Sequence, residues 1–419
     1  MVFLSGPRGA GKSLLAHQTT RTMKGIYYSW DIAQDRKSLL NQELQAGQNL
    51  WVFDELHKLK GWEKWLEQVM KAHPKQRQIL IAGSRNLVVE SHQSKARHAK
   101  RKSARLTPGL TVERNQPGQA PNFQRLHYSL HPLSLTEVLA MDPLPLSRLD
   151  TDPSELPPGA PIHFGTDTRA LQEALVNLMT FSGFPEPFEK ASEGDAKRWS
   201  QLYPSQLIRE ELQSSEMIQD LDRVEILFDR LSHSVGDVLS INEFRSQLQV
   251  SFITARKWIE ALERVYGVFR LYPLDSPTLK SVKKEAKLYF WDWTRPSTEA
   301  ARFENLMAVH LRRFCDWQNE QEPFGARFEL RYFRNVHRHE VHFVVVRDGA
   351  PWIAVETTLE DQWIDPSLKY FCERVPVKRG FQVSLRGGRN QSFGRFGDAV
   401  PGGVPIQQVP GRLFLKAIP

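Results

Sequence analysis

Residues 1–23 read MVFLSGPRGAGKSLLAHQTTRTM, and within them Gly6-Pro7-Arg8-Gly9-Ala10-Gly11-Lys12-Ser13 follows the pattern G-x-x-x-x-G-K-S. Glycine tolerates the turns that a loop must make to wrap a chain of phosphates. The amides exposed in this way, together with the N-terminus of a following helix, concentrate positive potential at one point. Lys12 is placed to reach β- and γ-phosphates, and Ser13 to coordinate Mg2+. The pattern alone is loose; its flanks sharpen it. Val2-Phe3-Leu4 predicts a strand entering the loop, and residues 12–23 predict a helix leaving it. The expected ligand is ATP with Mg2+, held by Gly6, Gly9, Ala10, Gly11, Lys12, Ser13 and Leu14.

Further apolar runs at 26–29, 50–53 and 79–82 alternate with helical patterns at 36–46 and 61–72. Such alternation predicts an α/β domain with a parallel sheet and crossover helices. The run at 50–53 ends in Asp54-Glu55. Asp54 is expected to hold the Mg2+ shell, and Glu55 to orient or deprotonate the attacking water. The run at 79–82 ends in Gly83-Ser84, which makes Ser84 the first candidate for a polar group that senses the γ-phosphate, with Asn86 second. Arg85, or Arg101 and Arg105 acting on a neighbouring subunit, are candidates for a charge-stabilising finger.

Beyond this core the texture changes twice. Residues 142–166 are rich in proline and turn formers and predict a linker or surface excursion. A 3.6-residue periodicity dominates from about 168 to 265, and strand-like runs mix with a helix at 299–316 after Lys287. The expected boundaries are a P-loop core at 1–140, a linker at 141–167, a helical lid at 168–220, a second helical module at 221–295, a mixed α/β domain at 296–385 and a flexible basic tail at 386–419.

Composition narrows the function classes. Among 419 residues, 40% are hydrophobic and 25% charged, ordinary values for a globular chain. Two cysteines, Cys315 and Cys372, exclude a disulfide framework and fit a reducing, cytoplasmic setting. No apolar run is long enough to span a membrane, and the start lacks the features of a signal peptide. The net charge of +8 is concentrated: residues 95–105 carry six Lys or Arg and no acid, and residues 374–419 carry eight against one acid. Each segment is a candidate site for a polyanion, or else a solvated loop and a loose tail.

The stretches GPRGAGKS, VFDELHKLKGWEKWLEQV (52–69), ILIAGSRN (79–86) and LHPLSLTEVL (130–139) together resemble a widespread bacterial and archaeal family of AAA-type ATPases. That family joins the ATPase module to a C-terminal domain of unknown function with a restriction-endonuclease-like core. Phe181-Ser182-Gly183-Phe184-Pro185-Glu186-Pro187 is similar to its Gly-Gly-Phe-Pro-Glu signature, and residues 239–274 to its winged-helix segment. Arg302-Phe303-Glu304-Asn305 opens the nuclease-like part. The resemblance covers roughly residues 2–375. Family members usually carry some tens of residues ahead of the first strand, so an upstream element is expected to be missing here or the start misassigned.

The resemblance implies a winged helix built from helices at Ile241–Val250 and Phe252–Val265, followed by strands at Val268–Tyr272 and Lys287–Trp291. Its outward candidates for a DNA groove are Thr254, Arg256, Lys257, Glu260 and Arg264, with Lys280, Lys283, Lys284 and Lys287 on phosphates. In the nuclease-like part the family pattern E-V-D-F, then E-V-K, is replaced by Glu340-Val341-His342-Phe343 and Glu356-Thr357-Thr358. Histidine stands for the key aspartate and threonine for the lysine. Glu304 and Glu356 remain, a poor set for Mg2+, which prefers hard oxygen ligands. His337, His339 and His342 form either a softer metal site or, as turn and strand residues, none.

Three readings follow: an ATP-driven switch acting on or recruited to DNA, an ATP-regulated interaction or scaffold protein, and an ATP-gated nuclease. The substitutions at His342 and Thr358 weigh against the third. Whether the chain works as a ring, a dimer or alone stays open.

Overall fold

The computed structural model describes residues 1–74, 76, 78–85, 126–142, 162, 164–212, 218–275, 286–321, 325–396 and 403–419. Asn86, Arg101, Arg105, the basic segment 95–105, most of the proline-rich linker, Lys280, Lys283 and Lys284 lie outside these residues. The chain forms two compact units. One comprises Met1–His131, Ser205–Leu221 and Glu260–Gly267; the other comprises Pro132–Pro204, Asp222–Ile259 and Val268–Pro419.

The first unit is built on β1 (Val2–Ser5), α1 (Lys12–Thr22), β2 (Ile26–Ser29), α2 (Ala33–Asn41), β3 (Trp51–Asp54), α3 (Trp62–Ala72), β4 (Ile79–Gly83) and β5 (Leu126–Ser129). Its five strands are all parallel in the order β2-β3-β4-β1-β5. Alternate residues of each strand feed opposite faces. Phe3, Trp51, Phe53, Ile79 and Ile81 pack with α2 and α3, whereas Leu4, Val52, Leu80 and Ala82 pack with Ala16 of α1. Burial on both faces is why these strands read as unbroken apolar runs. β5 escaped the sequence reading because its residues, Leu-His-Tyr-Ser, carry no such run.

The second unit begins with α4 (Leu135–Val138), α5 (Arg169–Phe181), α6 (Pro185–Lys190) and most of α7 (Glu193–Gln206), whereas the π-helical turn that follows, Leu207–Leu212, belongs to the first unit. α8 (Leu221–Leu231), α9 (Ile241–Gln247) and α10 (Phe252–Arg264) precede an antiparallel hairpin of β6 (Val268–Leu271) and β7 (Lys287–Phe290). α11 (Glu299–Gln321) leads into β8 (Phe328–Arg334), β9 (Glu340–Arg347), β10 (Ala350–Thr358), α12 (Pro366–Arg374) and β11 (Arg379–Ser384). β12 (Gln391–Phe396), β13 (Val404–Pro410) and α13 (Gly411–Leu415) complete the chain. The mixed sheet runs β12-β13-β11-β10-β9-β8, parallel only where β10, β11 and β13 meet. Among the described residues no helix is long and apolar enough to cross a membrane.

Two local features follow from the Phe181–Pro187 stretch. Ser182 holds φ 73° and ψ 173°, a conformation close to glycine's private territory, and its hydroxyl donates to Asp292 at 2.8 Å. Gly183 packs so tightly that a Cβ would lie 2.2 Å from the Trp293 ring.

The expected flexible basic tail is corrected. β13 lies between β11 and β12, and Leu413, Phe414, Leu415 and Ile418 are buried. The pattern was hidden because the strand buries two amides among its apolar residues. Gln407 exchanges hydrogen bonds of 2.9 and 3.0 Å with the backbone of Ile162 and accepts one from Arg379 at 3.1 Å. Buried amides are tolerated when partnered in this way. Two of the tail's cations are also engaged internally. Arg412 forms a two-pronged pair with Asp167 at 2.7 and 2.6 Å, and Arg386 pairs with Glu360 and Glu299. These arginines are compensated in place, which weighs against a polyanion site there.

Candidate nucleotide site

The site is built where β1, β3 and β4 end side by side. In the parallel register Ser5 lies opposite Gly83, and Asp54 opposite Ala82. The loop after β1 turns through three glycines at positive φ: Gly6 at 155°, Gly9 at 81° and Gly11 at 99°. Gly6 is doubly constrained, since a Cβ there would stand 2.1 Å from the carbonyl oxygen of Leu130. Gly11 caps α1, so the first amides of that helix face the loop. Ala10 is buried, whereas Leu14 is 64% exposed.

Lys12 is 5% exposed, and its ammonium donates to the carbonyls of Gly6 at 2.9 Å and Pro7 at 2.8 Å. Burial pushes its pKa down, while Glu55 and Asp54 pull it up. Ser13 Oγ donates to Asp54 Oδ2 at 2.7 Å, and the Tyr27 hydroxyl donates to the same oxygen at 2.5 Å. Burial and the bond to Asp54 push the Tyr27 phenol up, so it stays protonated. Asp54 Oδ1 is buried and has no hydrogen-bond partner among the described residues. An unsatisfied buried carboxylate oxygen beside a serine hydroxyl is a hard-donor pair suited to Mg2+. The residues present therefore fit the ion.

Glu55 stands at φ 55°, a left-handed conformation rare for a side chain of its size. Its carboxylate is gripped by Ser84: the amide donates to Oε1 at 3.0 Å and the hydroxyl lies 3.0 Å from Oε2. The same hydroxyl lies 2.7 Å from Glu211 Oε2. One hydroxyl carries one proton, so Ser84 can donate to Glu55 or to Glu211 at any moment, not to both. Lys58 approaches Glu55 at 3.3 Å and Asp31 at 2.9 Å, and His57 Nε2 stands 3.6 Å from Glu55. Glu211 lies on the turn Leu207–Leu212 and also receives Arg8, at 3.0 Å, while Arg8 reaches Glu210 at 2.7 Å.

The structure thus brings together Gly6, Gly9, Ala10, Gly11, Lys12, Ser13, Asp54, Glu55 and Ser84, with Arg85 next in the chain and half-buried. It adds Arg8, Tyr27, His57 and Glu211, which the sequence reading missed. Arg8 occupies a free position of the loop pattern, Tyr27 sits in an apolar run, and Glu211 is separated from Ser84 by 127 positions.

Residues 1–139 match a family model described as an AAA domain. A second model, a domain of unknown function (DUF8612), matches residues 172–294. No curated protein matches the chain. The glycine loop, the acidic strand end and Ser84 all lie within the AAA match, and such a domain suggests nucleotide binding. Glu211 and Glu210 lie within the second match, so a carboxylate from outside the AAA domain reaches its strand end.

In the other unit Glu304, His342 and Glu356 converge. His337 and His339 do not join them: His337 is exposed on the turn after β8, and His339 stacks on Tyr370 at 4.1 Å. Thr358 donates to the carbonyl of Glu360.

Proposed function

We propose that the chain is an ATP-hydrolysing AAA-type switch that passes the state of its γ-phosphate site to the segment Ser205–Leu221 and acts on or is recruited to DNA. The observation that carries this reading is the pairing of a buried ammonium, Lys12, whose hydrogen bonds among the described residues go to loop carbonyls, with a buried Asp54 oxygen that has no partner among them. Both await charge of the kind that a nucleotide with its cation brings. Titration with ATP and Mg2+ and measurement of phosphate release test it. Absence of affinity for any nucleoside triphosphate overturns it.

In the proposed reaction the loop amides bind the phosphates, and Lys12 turns from the Gly6 and Pro7 carbonyls to the β- and γ-oxygens. Ser13 and Asp54 would hold Mg2+, which neutralises charge on the transferring phosphoryl group. Glu55 takes a proton from the attacking water, oriented by the Ser84 amide. Ser84 apportions its single hydroxyl proton between Glu55 and Glu211, which links the strand end to the turn Leu207–Leu212. Arg8, paired with Glu211, is the cation that an incoming γ-phosphate would compete for. Glu211→Ala is therefore expected to tighten ATP binding about tenfold, the effect of roughly 1.4 kcal/mol from a competing charge-assisted hydrogen bond. In an Arg8→Ala background the same change should leave affinity unaltered. Equal tightening in both backgrounds would remove Arg8 from the account.

DNA as the target is supported by α10, on which Arg256 and Lys257 are exposed while Ala255, Trp258 and Ile259 are buried. The hairpin β6–β7 follows it, as a winged helix requires. Anisotropy titrations with duplex and single strand at rising salt test this, since log K falls by about 0.9 per duplex phosphate neutralised. If the ATP-loaded protein binds neither at low salt, the scaffold reading replaces it.

A further inference from the structure

The second unit holds a cluster of buried and half-buried charge that the nucleotide reaction does not use. β7 contributes Lys287, α11 contributes Glu304, β9 contributes Glu340 and His342, and β10 contributes Glu356. Lys287 has no exposed surface, pairs with Glu340, and lies 3.5 Å from Glu304 Oε1. Tyr289 donates to that same oxygen of Glu304 at 2.7 Å. His342 Nε2 lies 3.1 Å from Glu356 Oε1 and 3.9 Å from Glu304 Oε2, and its amide donates to Glu356 Oε2 at 3.1 Å. Gly236 closes the remaining side, since a Cβ there would stand 2.9 Å from Glu304 Oε2.

Three carboxylates from a helix and two paired strands are the donor set a divalent cation takes, and a restriction-endonuclease-like core would imply such a cation here. The residues do not fit it. An ammonium occupies the space between Glu304 and Glu340, and an imidazole bridges Glu304 and Glu356. We infer that this cluster is a cation site whose cation is part of the chain: the Lys287 ammonium, carried in on β7, takes the place of a metal ion, and the cluster holds β7, α11 and β9 together without hydrolysing DNA.

The physical case rests on compensation. Buried carboxylates without a counter-charge are costly, and removing one partner of a buried ion pair leaves the other uncompensated. Lys287 also has no route out: its side chain is enclosed, with its Nζ 5.5 Å from the centre of the Tyr332 ring. A second cation entering beside it would meet a fixed like charge a few ångströms away and be repelled by it. This inference is independent of the nucleotide reading and survives its failure.

The test uses the full chain, stripped with EDTA and free of nucleotide, with Mn2+ as the probe and free Mn2+ followed by electron paramagnetic resonance. Wild type and Glu304→Gln are expected to take up the same amount, so that no uptake depends on Glu304. Lys287→Met vacates the position and is expected to gain one Mn2+ bound at least tenfold more tightly than any in wild type. That gain should vanish in Lys287→Met/Glu304→Gln. The melting temperature of Lys287→Met should fall and recover with Mn2+, whereas that of wild type should not move. Glu304-dependent uptake by wild type overturns the inference, as does a folded Lys287→Met that gains none. If Lys287→Met does not fold, the comparison of wild type with Glu304→Gln still decides.

Discussion

Glu55→Gln is expected to bind ATP with Mg2+ as tightly as the wild type and to hydrolyse it about a hundred to ten thousand times more slowly, the range lost with a positioned general base. Glutamine preserves the shape and can still accept from the Ser84 amide, which now donates to Glu55 at 3.0 Å. What it loses is the capacity to take a proton. The left-handed backbone at Glu55 supports the assignment, because such a conformation persists only where the surroundings enforce it and is found disproportionately at working sites. Single-turnover phosphate release separates binding from chemistry. Equal turnover in the variant and wild type would remove Glu55 from the reaction.

Lys12→Ala should lose nucleotide binding instead of turnover, with a dissociation constant weakened by a hundredfold or more. An ammonium donating to phosphate oxygens in a buried site provides hydrogen bonds to charged groups, each worth about 1.5–3 kcal/mol, and two such bonds exceed the roughly 2.7 kcal/mol that a hundredfold represents. Without nucleotide, Lys12 satisfies the Gly6 and Pro7 carbonyls. Its removal therefore also loosens the loop, and circular dichroism of the variant checks that the fold persists. Unchanged affinity in a folded Lys12→Ala would contradict the loop's assigned role. The contrast between the two variants is itself diagnostic, since one removes the grip and the other the chemistry.

The candidate nucleotide site is legible because its elements are local. The glycine pattern declares its backbone requirements, and strands covered on both faces announce themselves as apolar runs that end at Asp54 and Ser84. Glu211 was illegible because its role comes from tertiary placement alone: it is one acid in a helical stretch until folding sets it against Ser84 and Arg8. Lys287 likewise reads from the sequence as a wing residue on phosphate, because lysines normally stay at the surface. Three acids brought from α11 and β9–β10 reverse that preference. The final strand is hidden for a different reason: Gln407 and Gln408 break its apolar rhythm, and Gln407 is buried with partners at Ile162 and Arg379 while Gln408 donates to the Gln362 carbonyl.

The place of β13 between β11 and β12 has a consequence for biogenesis. Residues 404–410 must emerge from the ribosome before the six-stranded sheet can close, so β8 to β12 wait with an open seam along β11. Nascent chains stalled ahead of Val404 should therefore expose that seam to chaperones, while the five-stranded sheet around β1 already has all its strands by Ser129.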